Sequence, residues 1–500
     1  MKAEKLMAED SAVHHTGMKP FIVSDTSALF AAIHSRKGAP KNWVERKLRY
    51  ENLLMVEDPK YRLTADPIMH FELLKNKDFD KFFYRNTRGF YITGRIGSNV
   101  SFYTTLYENQ VAYQPFIQEF IDENGVIPRG GNFKPYEAPL DKLYTNGYDY
   151  SQVEGVLSWN VLPQLNLQIG QGAHFVGEGY RSLLLSDNSY TYPYVKATFT
   201  RNRIQYSSMY AEMMDFDLPN SAESGFQKKR FSIQYLSLQL TRWLQVGVFE
   251  SVVYKAEDSI GYRGFKPNYI NPVLFSRAIE YNLNGKNNVL LGFNWNVTIL
   301  PKLQYYGQLA WDEFGTEASG NHNSADNKTG VQFGVKWFDA LTINNLYLQG
   351  EYNRVRPFTY GSIDAKHSFS HARQPLAHPL GANFHEIIGI GSYQLSDFML
   401  ETRLSIARAG TDTLSPAVSN LFIDQQEPEP GNAETVFLQG VQSTLIYSHV
   451  QLSYLLNPRT NLRIYAGAGY RRISNEMETR SDTFVFFGLR TFLANQTFDY

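Results

Sequence analysis

The sequence predicts an all-β protein: a transmembrane antiparallel β-barrel of about eighteen strands with a small N-terminal helical element. Three observations predict it. From about residue 150 onward, apolar and polar side chains alternate with a period of two, the mark of a strand with two unlike faces. The alternating runs are roughly nine to eleven residues long, which suits a tilted membrane strand better than the shorter strands of a soluble sandwich. Aromatic residues reach 15% of the 500-residue chain, yet mean hydropathy is −0.36 and charged residues are only 19%. A chain rich in rings without being apolar on average needs two surroundings, lipid outside and a polar interior.

Composition narrows the function classes. The 48 Lys and Arg nearly balance the 49 Asp and Glu, for a net charge of −1, which disfavours nucleic acid as a partner bound through overall charge. With no cysteine there is no disulfide framework, thiolate metal site or thiol nucleophile. The longest apolar runs, such as Val289–Phe293 and Phe484–Leu489, are far below the ~20 residues of a membrane-spanning helix. Residues Met1–Asp10 lack an apolar stretch of the kind a secretory leader carries. For a barrel, the expectation is therefore that the numbering begins after a removed leader.

Residues 1–60 break the two-residue period and read as a periplasmic or plug-like helical segment. Within them, Val44, Leu48 and Leu53 fall on one face of a helix over Asn42–Leu54. Residues 61–500 form the barrel, with a helical and loop insertion near 108–145. Ahead of the insertion, Phe90–Val100 and Ser101–Tyr107 read as strands; within it, Gln110–Glu123 reads as a helix and the Gly/Pro-rich Gly125–Pro139 as a loop.

The later strands are clearer. Val153, Gly155, Leu157 and Trp159 oppose Glu154, Val156, Ser158 and Asn160. Leu303, Tyr305, Gly307, Leu309 and Trp311 oppose Gln304, Tyr306, Gln308 and Ala310. Val331, Phe333, Val335 and Trp337 oppose Gln332, Gly334 and Lys336. The same split recurs for Leu346–Asn353, Phe398–Ala407 and Leu462–Tyr470. Tight turns at Leu162–Leu165, Thr241–Arg242, Ile299–Lys302 and Asn457–Thr460 alternate with long polar connections at Asp215–Lys228, Thr316–Lys328, Arg356–Asn383 and Ala409–Thr435. Short periplasmic turns and long external loops are the habit of outer-membrane barrels. Tyr107, Tyr113, Trp159, Tyr180, Tyr210, Trp243, Tyr254, Trp311, Trp337 and Tyr470 lie near strand ends, where rings anchor a barrel at the membrane interfaces.

No catalytic signature is present: no G-x-S-x-G, P-loop, H-E-x-x-H or dinucleotide fingerprint. His367, His371, His378 and His385 cluster in and beside a long loop without metal-ligand spacing, so a solvated loop is the favoured reading. Glu154, Asp312, Glu313, Glu351, Arg354, Glu401 and Arg403 belong to polar faces or strand ends and are expected in the lumen or at its mouth. Cross-strand ionic packing explains them more simply than acid–base catalysis. Tyr190, Tyr192 and Tyr194 could stack on sugar rings or anchor at the interface.

One segment, Gly170–Ser189, combines glycines at 172, 177 and 179 with His174, Glu178, Arg181, Ser186, Asp187 and Asn188. Glycine permits close backbone approach, and the polar side chains match the donors and acceptors of sugar hydroxyls. The same residues also suit a structural loop in which Arg181 pairs with a lumenal carboxylate.

This segment, continued by Tyr192–Thr198, resembles the capsule-assembly Wzi family of outer-membrane proteins, and most closely its gliding-motility RemB branch. His15–Phe21, Tyr269–Phe275 with Arg277 and Glu280, Tyr306–Phe314 and His378–Glu386 fit the same pattern. The resemblance implies an outer-membrane barrel of about eighteen strands that holds capsular polysaccharide without catalysis. In the RemB branch it implies a structural part of a gliding-motility or type IX secretion assembly. The candidate glycan-binding residues are His174, Glu178, Arg181, Asp187, Asn188, Tyr192, Arg277 and Asp312. The expected partners are outer-membrane lipid, surface polysaccharide and, in the second reading, motility or secretion proteins. No cofactor, metal or catalytic residue is expected.

Overall fold

The computed structural model describes residues 2–10, 12–21, 40–215, 227–258, 261–262, 287–300, 302–314, 327–362, 367–411, 436–491 and 498–499. Eighteen antiparallel strands close into a barrel. They are β1 Tyr61–Asn76, β2 Phe83–Ile96, β3 Val100–Ala112, β4 Gly147–Leu162, β5 Leu165–Gly172 and β6 Tyr192–Arg201. Then come β7 Ile204–Asp215, β8 Gln227–Gln239, β9 Leu244–Lys255, β10 Asn288–Leu300, β11 Leu303–Phe314 and β12 Asn327–Phe338. The circuit finishes with β13 Leu346–Val355, β14 Phe384–Leu395, β15 Phe398–Thr411, β16 Val441–Asn457, β17 Leu462–Ser474 and β18 Thr479–Arg490. Closure is made by β18 on β1, from Phe484 opposite Asn76 to Arg490 opposite His70. Most strands are longer than the bilayer requires, up to the 17 residues of β16, so their ends project beyond it.

The period of two sorts side chains as the alternation predicts. On β11, Gln304, Tyr306 and Gln308 are buried on the lumenal face while Tyr305 is exposed outside. Register then aligns like with like: Gln308 stands opposite Asn294 on β10 and Gln332 on β12. Outward positions carry Leu73, Phe90, Leu157, Ile169, Val195, Phe333, Ile387, Leu404, Leu452 and Phe487, all exposed. A closed barrel with an apolar outer surface and a polar interior is a membrane-spanning structure, because closure leaves no unpaired backbone edge to face lipid. An even-numbered antiparallel barrel of this size belongs in the outer membrane. Short turns at 97–99, 163–164, 202–203, 240–243, 396–397 and 458–461 share one end. The connections 113–146, 173–191 and 356–383 share the other. Much of the predicted long connections 215–228, 316–328 and 409–435 lies outside the described residues.

Three expectations change. The helix expected over Gln110–Glu123 is α3, Pro115–Asn124, because β3 runs on to Ala112 and Pro115 occupies the first helical turn, where its missing N–H costs nothing. Of the expected aromatic girdle, Trp159, Trp243 and Trp337 are exposed outside, but Tyr107 and Tyr113 are buried on the lumenal side. Tyr180 is likewise inside, in the loop after β5. Strand-end position alone does not determine which way a ring faces. Arg354 lies on the outward face of β13, its guanidinium 4.2 Å from the Phe437 ring.

Segments of the chain itself occupy part of the lumen, and others pack at the barrel's end. Helix α1, Lys2–Glu9, docks by Glu4 on Lys336 (2.9 Å) and by Lys5 on Asp339 (2.8 Å). Met18 and Lys19 pair as a short strand with Val176 and Phe175. Helix α2, Trp43–Arg49, abuts β16, where the Asn457 amide donates to the carbonyls of Lys47 and Glu51. Leu54–Asp58 forms a hairpin with the start of β1.

The loop 173–191 folds inward, so Leu183, Leu184 and Leu185 are fully buried among Ile233, Phe249, Leu290, Ala310, Val355 and Phe384 of the wall. Tyr360, Phe369 and Leu376 complete this core. Gly292 on the facing wall is required here, since a β-carbon would collide with Leu184.

Candidate functional site

The inward loop is held by the lumenal amides and carboxylates. Its backbone forms little sheet, so side chains must satisfy its N–H and C=O groups. The Gln308 carbonyl accepts the Leu183 N–H (2.7 Å), and its amide donates to the Val176 carbonyl (2.8 Å). Glu351 accepts the N–H groups of Tyr180 (2.6 Å) and Arg181 (3.0 Å). Gln332 donates to the Arg181 carbonyl (3.0 Å). At Gly177, φ is 131°, a conformation that L side chains rarely adopt, and the backbone presses against Gln308.

Arg181 anchors a buried ion network. Its guanidinium contacts Glu386 (3.2 Å) and Asp499 (3.0 Å), and Asp499 also binds Arg403 (2.9 Å) and the Tyr180 hydroxyl (2.6 Å). His378 lies 2.7 Å from Glu386, which also accepts the Ser405 hydroxyl (2.7 Å). The Tyr180 ring lies 4.9 Å from the Arg181 guanidinium and 4.7 Å from that of Arg403. Burial alone would raise the Asp499 carboxyl, but the two guanidinium groups outweigh it and hold the acid well below the usual carboxylate range. Two guanidiniums facing two carboxylates leave no unbalanced charge for a ligand. The structure thus ties the loop, the strand wall and the residues beyond β18 together through Arg181.

The other candidate residues divide between struts and open positions. Glu178 is buried and accepts the Thr16 hydroxyl (2.5 Å), fastening the N-terminal segment. Tyr192 is fully buried, its hydroxyl 3.4 Å from His174 Nδ1. Asp312 is buried and accepts the Tyr360 N–H (2.6 Å). Asn188 donates to the Ala377 carbonyl (3.3 Å) and is partly exposed. Arg277 lies outside the described residues, as do the Tyr269–Phe275 segment and the side chain of Glu313. Asp187 is the open one: its side chain is 43% exposed and 3.3 Å from the Arg129 guanidinium. The four clustered histidines do not converge. His371 accepts the Met214 N–H (3.0 Å), His378 faces Glu386 and His385 lies edge-on to Phe437.

Around Asp187 an accessible patch opens in the lumen. Lumenal positions of β2, β3 and β4 bring Tyr91, Tyr103 and Glu154 to it, all partly exposed. Tyr91 and Tyr103 stack obliquely, with ring centroids 6.1 Å apart. Glu154 is electrostatically coupled to Arg129 and Asp187. Arg129 is positioned by its carbonyl, which accepts the Gln152 amide (2.8 Å). The Tyr190 ring closes one side, stacked at 6.2 Å on His371, which burial pushes down to about 4. The patch therefore offers ring faces and two carboxylates to a ligand, with the buried Arg129 guanidinium behind Asp187. Alternation had placed Glu154 on the polar face and Tyr190 among candidate stacking rings. Arg129 was missed, because nothing in a Gly/Pro-rich loop says where it returns.

No protein-family model matches the chain, and no curated protein matches it. Solved structures similar to it are outer-membrane barrels. OprD from Pseudomonas aeruginosa is 9% identical over 90% of this chain and 98% of its own, with a TM-score of 0.46. OpdK from the same organism, in a structure with vanillate, is 9% identical over 86% and 98%, with a TM-score of 0.45. OccAB2 from Acinetobacter baumannii is 10% identical over 86% and 98%, also at 0.45. The strand register, rather than these likenesses, establishes the barrel.

Proposed function

We propose that this chain is a non-catalytic outer-membrane barrel that binds or organises polysaccharide at the cell surface. The observation that carries the reading is the lumenal patch of Tyr91, Tyr103 and Tyr190 with Glu154, Asp187 and Arg129, in a barrel otherwise occupied by its own segments. Sugar rings present apolar faces and a perimeter of hydroxyls. Aromatic faces and bidentate carboxylate or guanidinium groups recognise those two features together. The sequence resemblance to capsule-assembly barrels supports the same class. The alternative implied by the RemB branch, a structural part of a motility or secretion assembly, would rest on segments such as 412–435, which lie outside the described residues.

The test is oligosaccharide binding to the purified barrel, followed by Asp187→Ala and Tyr190→Ala. Loss of one charge-assisted hydrogen bond, about 1.5–3 kcal/mol, should weaken binding roughly tenfold or more. Absence of binding across acidic and neutral glycans, with unchanged surface polysaccharide in a deletion strain, would sink the proposal.

A further inference from the structure

Four lysines are buried among the described residues: Lys196, Lys229, Lys328 and Lys336. Three have partners. Lys229 donates to the Ser368 carbonyl and the Ser370 hydroxyl, both at 3.1 Å; Lys328 reaches the Gly361 carbonyl at 3.5 Å; and Lys336 binds Glu4 at 2.9 Å. Lys196, on the lumenal face of β6 and only 3% exposed, has neither a hydrogen-bond acceptor nor a carboxylate among the described residues. An ammonium this little exposed, without a counter-charge, is a costly feature for a fold to keep, and one that an incoming anion relieves.

Its surroundings carry further unmet hydrogen-bonding capacity. Lys196 Nζ lies 6.0 Å from the Tyr194 ring centroid, and the His174 ring packs edge-on against the same tyrosine at 4.4 Å. His174 Nε2 is buried without a partner, and it carries the ring proton in the tautomer whose Nδ1 accepts the Tyr192 hydroxyl. Gln168, opposite Lys196 in the β5–β6 register, has a buried side-chain oxygen without a donor. An ammonium and an imidazole N–H, both lacking acceptors, beside an amide oxygen lacking a donor, match an oxyanion flanked by a hydroxyl. Tyr194 lies on the same lumenal face of β6 and pairs with Gly170, which pairs in turn with Val156, two positions from Glu154 on β4, so this corner adjoins the tyrosine–carboxylate patch.

We propose that Lys196, His174 and Gln168 form an oxyanion subsite that takes the acidic substituent of the bound glycan, with Lys196 supplying the charge. The proposal rests on the glycan reading for its ligand and names the class: a polysaccharide carrying carboxylate or phosphate groups. His174 thereby regains a binding role, acting through Nε2, with Tyr194 the ring that it and Lys196 both approach.

The full-length barrel in detergent is titrated with an oligogalacturonate, with the methyl ester of the same oligomer and with inorganic phosphate. The acid form should bind at least tenfold tighter than the ester. Lys196→Met should erase that difference, and Lys196→Arg should retain most of it. Lys196→Met should also melt no lower than wild type, because it removes an unpaired buried charge, and heat-modifiable gel migration confirms that it has folded. A variant that melts markedly lower would reveal a structural contact and overturn the subsite. Equal binding of acid and ester, unchanged in Lys196→Met, overturns the subsite and leaves the glycan reading intact. Phosphate binding that is lost in Lys196→Met, with neither sugar bound, keeps the oxyanion subsite and overturns the glycan reading. Binding of none of the three overturns both.

Discussion

Arg181 and Asp187 sit six positions apart in one loop and meet opposite fates. Both carry charge in a glycine-rich segment, and by residue type either could face a sugar. Arg181 lies between Glu386 and Asp499, partners 205 and 318 positions away, whereas Asp187 stays half-exposed beside Arg129. Such pairing follows from closure of the barrel and the return of the chain beyond β18, neither of which a local sequence window contains. Arg181→Ala leaves two buried carboxylates short of a counter-charge, so a loss of about 3–5 kcal/mol is expected, read as a lower urea unfolding midpoint. Asp187→Ala, at a single partly exposed pair, should change stability less than Arg181→Ala, by about 1 kcal/mol. Similar losses for both variants would mean that Arg181 is not the strut described.

At the scale of the strand, the sequence was far more legible. A residue's face depends only on its parity once one neighbour is placed, and lipid outside against amides inside makes parity visible. Every long alternating run from Val153 onward therefore has the inside and outside that its pattern predicts. Parity was least legible around α3, where Pro115 and the connection 113–146 interrupt the period. Strand parity also makes a sharp forecast for adjacent residues on β15. Leu404 faces lipid near mid-strand, while Ser405 faces the lumen and donates to Glu386. Leu404→Lys should cost about 2–4 kcal/mol, as a charge near the bilayer midplane does, when folding into lipid vesicles is followed by urea titration. Ser405→Ala removes one hydrogen bond to a charged group and should cost about 1.5–3 kcal/mol, in detergent as well as in lipid. Only the first penalty should shrink when the bilayer is replaced by a detergent that tolerates water.

For the whole molecule, the decisive feature is that the wall and its filling are one chain, so the lumen's state depends on how firmly the inward segments stay docked. Besides the amides and the Arg181 network, that docking buries uncharged histidines. Burial pushes His371 down to about 4, and burial lowers His174 and His378 as well, the latter despite Glu386 beside it. Released into water, each ring would titrate near 6.5. Below that value the undocked state binds protons that the docked state does not. Docking is therefore fully stable above about pH 6.5 and weakens as the pH falls towards 4. In planar bilayers the wild-type barrel should show little steady conductance at pH 7.5 and increasingly frequent open events as the pH drops through this window. A variant in which 177–190 is replaced by a short Gly–Ser linker should conduct at both pH values, because the wall amides Gln308 and Gln332 would then face water instead of the loop. Large, steady wild-type conductance at pH 7.5 would show that the inward segments leave a continuous path, and the barrel would have to be read as a channel first.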